Sequence, residues 1–242
     1  AESICKQEFD SPSILGYAYS KNQAGKYDFL KLEDKTLVFE GSIYSPLTKA
    51  AIAEKVAKNP SHCEAALQAL IEEAEGDYSF LMLSKEWIAA GRDPIGVQPF
   101  YYGENSEIAA FASNRKALWE LGIKETMSFP PGHLAFVNKE GFKFTPVKKL
   151  AFTEPKPVTI EQAAQSLQTL LKRSIQRRLQ GLKEVAVAFS GGVDSSVIAF
   201  LAKECGVKVN LVHVSLENQP ETEEAIKAAD ILDLPLQVHL FK

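Results

Sequence analysis

The stretch Ser190-Gly191-Gly192-Val193-Asp194-Ser195-Ser196 carries the densest potential chemistry in this 242-residue chain. It lies between a continuously apolar run, 185–189, and an apolar helical pattern over 197–205. A strand-to-helix junction presents unpaired backbone N–H groups at the positive end of a helix dipole. Adjacent glycines let an anion reach the main chain without meeting a side chain. Ser190, Ser195 and Ser196 add hydroxyls, so the junction has the makings of a phosphate cradle. Asp194 would repel a phosphate unless Mg²⁺ lay between them, which makes Asp194 the candidate metal ligand. No lysine follows the glycines, which disfavours P-loop kinase or GTPase chemistry. The spacing is not GxGxxG, and no acidic residue closes the next strand as a ribose anchor. The plainer reading is a Gly-Gly turn with Asp194 and Ser195 capping the helix.

The elements around this loop repeat in the order strand, helix, strand, helix, strand. The run 185–189 reads as a strand covered on both faces, 197–205 as a helix stopped by Gly206, and 207–214 as the second strand. Residues 222–232 read as a second helix and 236–241 as a third strand, predicting a parallel, doubly wound sheet. Ahead of them, Thr159 and Gln162 form a capping-box signature. Apolar residues then recur at helical spacing from Ile160 to Leu182, and the helix is expected to end near Gly181. Pro155-Lys156-Pro157 marks 152–158 as a stiff linker.

The residues before that linker are patterned differently. Strands are predicted at 14–20, 27–32, 36–39, 77–84, 87–91, 100–102, 108–112 and 133–138, and helices at 47–58 and 63–75. Runs of strands with grouped helices indicate α+β layers. Two domains follow, 1–152 and 159–242.

Composition narrows the function classes. Hydrophobic residues make up 45% and charged residues 24%, as in an ordinary globular chain. Lys+Arg total 27 against Asp+Glu 31, a formal charge of −4, so no bulk positive field holds nucleic acid or an anionic membrane. No apolar run is long enough to span a bilayer. Cys5, Cys63 and Cys205 are too few and too scattered for a disulfide framework or a zinc site, and a cytoplasmic setting is expected. The absence of an initial Met, and an end just after a strand, suggest a fragment or a processed form.

The motif AFSGGVDSS resembles the loop of the N-type ATP pyrophosphatases, and more closely that of the asparagine synthetase family. That resemblance implies a Rossmann-like PP-loop domain holding the β- and γ-phosphates of ATP, with the α-phosphate open to attack. Ser190, Gly191, Gly192, Asp194, Ser195 and Ser196 would hold the phosphates and Mg²⁺, and Phe189 and Val214 would flank the adenine. In the first domain, Phe39-Glu40-Gly41-Ser42-Ile43-Tyr44 resembles the family's NGEIYN segment. Glu75-Gly76-Asp77-Tyr78-Ser79-Phe80 resembles its GxFAF strand, and residues 91–102 its GRDxxGxxPLYY segment. Ala112–Leu118 is similar to ASExKAL, and Pro130-Pro131-Gly132 to its FPPG turn. These segments run in the family's order, which implies an Ntn-hydrolase-like αββα sandwich of the glutamine amidotransferase type.

The same alignment exposes departures. The family's glutaminase uses a free N-terminal cysteine as nucleophile and base. This chain begins with Ala1, and Cys5 would serve only after removal of four residues. The family's oxyanion-hole Asn aligns with Glu40, next to Gly41, and a carboxylate there opposes a developing oxyanion. The Asp that holds the glutamine amine aligns with His62. Glu40, Gly41 and His62 thus mark a degenerate glutamine pocket. The family's aspartate pocket and catalytic lysine lie beyond the point matching Lys242, so the catalytic acid or base is unassigned. The expected function is an ammonia-dependent, AMP-forming amide ligase using ATP and Mg²⁺, with aspartate the expected carboxylate. A second copy or a partner subunit is a further expected partner; nucleic acid and membrane are not. The alternatives are a non-catalytic ATP-binding regulatory module and a scaffold subunit whose site a partner completes.

Overall fold

The computed structural model describes residues 2–8, 14–20, 28–32, 35–45, 51–52, 54 and 63–242. The chain divides into two compact units, Ala1–Thr153 and Glu154–Lys242.

The first unit is built on an antiparallel sheet of six strands: β3 (Asp28–Leu32), β4 (Lys35–Ser45), β5 (Glu75–Leu83), β6 (Ile88–Arg92), β10 (His133–Asn138) and β11 (Gly141–Pro146). Their order across the sheet is β11-β10-β6-β5-β4-β3. Side chains alternate between its two faces. Leu37 and Phe39 on β4 stand opposite Met82 and Phe80 on β5. This face takes the helix α1 (Cys63–Glu73), whose Leu67, Leu70 and Ile71 are buried against it. The opposite face, through Ala90 and Ala135, receives Phe100 and Phe129. These belong to a smaller layer, the three-stranded sheet β8 (Ala109–Ala112), β7 (Tyr101–Glu104) and β9 (Met127–Ser128). A short helix, α2 (Arg115–Glu120), packs on β7 and β8 and is N-capped by Asn114. A separate hairpin pairs β1 (Glu2–Glu8) with β2 (Ile14–Ser20). The mixed α/β layers match the sequence reading; β1, β9, β11 and α2 are additions to it. Most of the helix expected at 47–58 lies outside the described residues.

Arg92 and Asp93, buried after β6, organise the turn that joins these layers. Asp93 Oδ1 accepts the N–H groups of Ile95, Gly96 and Val97 at 3.0, 2.6 and 3.2 Å, and Oδ2 accepts that of Gln98 at 3.3 Å. Arg92 donates to the carbonyls of Phe129 at 2.7 Å and Gly96 at 2.6 Å. Both charges are therefore spent on backbone groups, and the pair makes no direct ion-pair contact.

In the second unit, β12 (Glu184–Ala188), β13 (Lys208–Leu216) and β14 (Leu236–Phe241) form a parallel sheet in sequence order. The crossover helices α4 (Val193–Glu204) and α5 (Pro220–Leu232) bury Ala199, Ala202, Ala225 and Ala229 in one core with Phe189, Val209 and Leu211. Successive right-handed crossovers between strands laid down in order put both helices on the same face. Ala186 and Ala188, which point the other way, are exposed. The expected covering of β12 on both faces, and the doubly wound form, are thus corrected to a singly wound sheet. The helix α3 (Ile160–Leu179) starts with the expected capping box, Thr159 N–H to Gln162 at 3.1 Å and Gln162 N–H to Thr159 Oγ1 at 3.2 Å. Only the end of its apolar stripe, at Ile175 and Leu179, packs on the core; Ile160, Leu167 and Leu170 are exposed.

Asp93→Ala leaves the part-buried N–H groups of Ile95, Gly96, Val97 and Gln98 without their acceptor. It is expected to lower the stability of the first unit by roughly 2–4 kcal/mol in a denaturant titration, with Asp93→Asn in between.

Candidate functional site

The loop Ser190–Ser196 sits at the C-terminal end of β12, where an open parallel sheet offers its ligand crevice. α4 begins at Val193, a turn earlier than its apolar pattern suggests, so Val193, Asp194 and Ser195 are its first helical residues. Gly192 is the N-cap and contributes no side-chain acceptor. The first-turn N–H groups are therefore left for an outside partner. The capping role considered for Asp194 and Ser195 is not what their side chains do. The Asp194 side chain makes no cap, and Ser195 Oγ donates to the Gly192 carbonyl at 3.1 Å.

The loop is preshaped by its own hydroxyls. Ser190 Oγ and Ser195 Oγ lie 3.1 Å apart, and the Gly192 N–H donates to Ser190 Oγ at 3.3 Å. Gly191 has a positive φ of 81°, and a Cβ built there would lie 2.7 Å from the Ala225 Cα. No other residue fits both the torsion and the close approach to α5. Ser190, Gly192 and Asp194 are exposed; Gly191, Ser195 and Ser196 are half-buried.

Beside the loop is a cavity of about 560 Å³ bordered by Ser190, Val214, Ser215, Gln219 and Glu221, among others. Its volume is in the range of nucleotide-sized pockets. The Phe189 N–H donates to the Val212 carbonyl at 2.8 Å, whereas the Leu211 N–H donates to Pro235 at 2.8 Å. Even-numbered residues of β13 thus direct their main chain toward β12 and odd-numbered ones toward β14. β12 stops at Ala188, so the N–H and C=O of Val214 face the space it vacates. One donor and one acceptor, held rigidly by a strand, can read the edge of a base. The Val214 side chain is 60% exposed, while the Phe189 ring is 3% exposed and faces the core beneath the helices. Of the two residues expected to flank a base, only Val214 offers surface; the Phe189 ring is turned into the core and its N–H and carbonyl are already engaged. Sequence reasoning missed Gln219 and Glu221, which begin α5. The expected helix start at 222 hid them, and Pro220 at the first helical position was the available signal.

In the first unit, Glu40 and Gly41 lie on β4 opposite Ser79 and Tyr78. Burial raises the Glu40 carboxyl above its ordinary value, and a hydrogen bond with Ser113 pulls the other way. Gly41, at φ 95°, packs on the Asp77 carbonyl and the Gln98 side chain, so its lack of a Cβ is enforced by packing. Cys5 is an interior residue of β1 paired with Tyr17, its nitrogen part of a peptide bond. His62 lies outside the described residues. Cys63 is buried, and burial raises its thiol above the usual range. Among the described residues, no group of three or more His, Cys, Asp or Glu gathers as a metal site, and no helix is long and apolar enough to cross a membrane.

The chain thus places a layered α/β sheet unit ahead of a parallel-sheet unit whose loop is open to an anion, an order that suits a family built of two unlike α/β parts. Comparison with known proteins agrees. The family described as "Glutamine amidotransferase domain" matches residues 21–120, and "Asparagine synthase" matches residues 166–241. A putative glutamine-hydrolyzing asparagine synthetase of Methanocaldococcus jannaschii is 35% identical over 190 residues, covering 69% of this chain and 34% of that protein. The glutamine-hydrolyzing asparagine synthetase of Zea mays is 30% identical over 224 residues, covering 83% and 38%. The chain belongs to the asparagine synthetase family. It spans about a third to two-fifths of the length of these relatives. Among solved structures, the glutamine phosphoribosylpyrophosphate amidotransferase from B. subtilis aligns over 87% of this chain and 47% of that chain, at 15% identity and a TM-score of 0.40.

The raised Glu40 carboxyl has a pH consequence. The folded state favours the protonated form, so this group's contribution to stability is fullest below its unfolded pKa and is lost as pH rises through the folded value. Glu40→Gln is therefore expected to raise the melting temperature at pH 7. The gap should close on acidification through the carboxylate range, as followed by thermal melts against pH.

Proposed function

We propose that this chain carries the nucleotide-binding part of an ATP-dependent, AMP-forming amide ligase. The observation that supports it most is the uncapped first turn of α4, set by the Ser190–Ser195 pair at the mouth of the Val214 cavity. The N–H groups of Val193, Asp194 and Ser195 would hold the β- and γ-phosphates, leaving the α-phosphate open. Asp194 suits a Mg²⁺ site, since that ion is usually held by one or two carboxylates plus phosphates and water. When bound, the ion supplies neutralising charge at the phosphates. A substrate carboxylate oxygen, aspartate by family expectation, attacks the α-phosphorus. The bond to the bridging oxygen of the β-phosphate breaks, and pyrophosphate leaves. Ammonia then attacks the acyl carbon, AMP departs with its bonding electron pair, and the added nitrogen loses a proton to solvent. This chain's part is positioning and charge stabilisation. The Val214 N–H would donate to N1 of adenine and its carbonyl would accept from the 6-amino group; guanine presents the reverse pattern.

The first unit is read as an Ntn-type αββα glutamine amidotransferase-like domain that does not hydrolyse glutamine. Glu40 puts a carboxylate where an oxyanion would develop, and Cys5 has no free amine to act as its base. Ammonia from solution or a separate source is then the nitrogen donor. The scaffold reading draws on one observation: Val214, Leu216 and Phe241 leave an apolar sheet face more than half exposed.

Calorimetry is expected to show micromolar Mg-ATP binding, lost in Asp194→Ala and in Gly191→Ala, and about tenfold weaker for GTP. No binding at millimolar ATP would sink the nucleotide reading. Incubation with glutamine should release no glutamate above buffer; release abolished by Cys5→Ala would overturn the inactive-site reading.

A further inference from the structure

We infer that His213 is a positioning residue for the nucleotide loop, clamping its root to α5 through Thr222. This rests on the reading of Ser190–Ser196 as the ATP site. His213 is 4% exposed and lies on the helix-covered face of β13, in register with Val238 of β14. Its Nδ1 is 2.8 Å from the carbonyl of Phe189, the last residue before the loop. Its Nε2 is 3.3 Å from Thr222 Oγ1, in the first turn of α5. A carbonyl only accepts, so Nδ1 carries the proton, and Nε2 is open to accept the Thr222 hydroxyl proton. One ring thus ties three elements together: the end of β12, the middle of β13 and the start of α5.

The tie has a second strand. Thr222 and Ala225 are three apart on α5 and share a face. Ala225 is fully buried and its main chain is what Gly191 packs on. The loop is therefore seated on α5 at two points, Phe189 through His213 and Gly191 through direct contact. Gln219 and Glu221, at the start of the same helix, border the cavity. The position of α5 sets both the entry angle of the loop and one wall of the cavity. The Phe189 N–H is already fixed by Val212, and His213 fixes its carbonyl, so the peptide groups on both sides of that residue are held before the chain turns. A histidine serves here because it supplies a donor and an acceptor about 2 Å apart on a rigid ring; Leu or Val at this core position would pack without either tie.

Four single variants of the full chain test this: His213→Leu, His213→Asn, Thr222→Val and Thr222→Ser. Asn keeps a donor where Nδ1 stands, and Ser keeps the hydroxyl. The first readout is amide hydrogen exchange over residues 189–192 without nucleotide. The second is the Kd for Mg-ATP. His213→Leu and Thr222→Val are expected to speed exchange in the loop about tenfold relative to α3 and the first unit, and to weaken Mg-ATP about threefold to tenfold. Asn and Ser should recover most of both effects. Loop exchange at the wild-type rate in His213→Leu and Thr222→Val, or acceleration spread evenly over the second unit without rescue by Asn or Ser, overturns the inference. If His213→Leu does not fold, the Thr222 pair decides. If wild-type protein takes up no Mg-ATP, the ATP reading fails while the exchange comparison still decides the clamp.

Discussion

The open first turn of α4 is the feature on which the second unit's architecture converges. A helix beginning without a side-chain acceptor leaves its N–H groups short of partners, and the dipole makes that end attractive to anions. Such an end persists where other contacts hold the loop. Here those contacts are the Ser190–Ser195 hydroxyl pair, Gly191 on the α5 backbone, and the two ties of His213. The parallel sheet supplies the rest. β12 ends at Ala188 opposite Val212 while β13 runs on to Leu216, which frees the Val214 main chain beside the same loop. The free strand edge at Val214 and the open start of α4 thus lie side by side because β12 ends early and the chain turns there into the helix.

The first unit depends in the same way on main-chain geometry. Asp93 accepts four backbone donors and Arg92 reaches two carbonyls, so a single dipeptide sets the turn between the large sheet and the aromatic layer of Phe100, Phe111 and Phe129. These charges are met chiefly by fixed backbone groups, which lose no side-chain entropy on being engaged.

Much of this was legible in the residues, for identifiable reasons. The βαβαβ unit was readable because its apolar runs are short, continuous and broken by Gly206. The α3 start was readable because Thr159 and Gln162 are a local, reciprocal pair of hydrogen bonds. The start of α4 was placed late because Val193–Ser196 has the composition of a turn, and only the fold shows those residues already helical. The covering of β12 was misjudged because Val185–Phe189 is apolar throughout, and alternating burial cannot be read from an alternation that the side chains do not show. The His213 clamp was invisible because its partners, a carbonyl 24 residues away and a hydroxyl nine away, are joined only by the crossover.

The two units also separate what a family resemblance carries from what it does not. In the second unit the proposed chemistry resides in the main chain: N–H groups of a helix start, a strand edge, and glycines that let them be approached. A motif match there carries over the geometry on which the ATP proposal rests. In the first unit the matched residues, such as Gly41, Arg92 and Asp93, are those that shape turns and permit packing. The proposed loss of glutamine hydrolysis rests instead on side chains, Glu40 above all, and a side chain can change while the turns around it stay as they are. A frame residue is held in place by the packing it permits, whereas a reactive side chain is held only by its task.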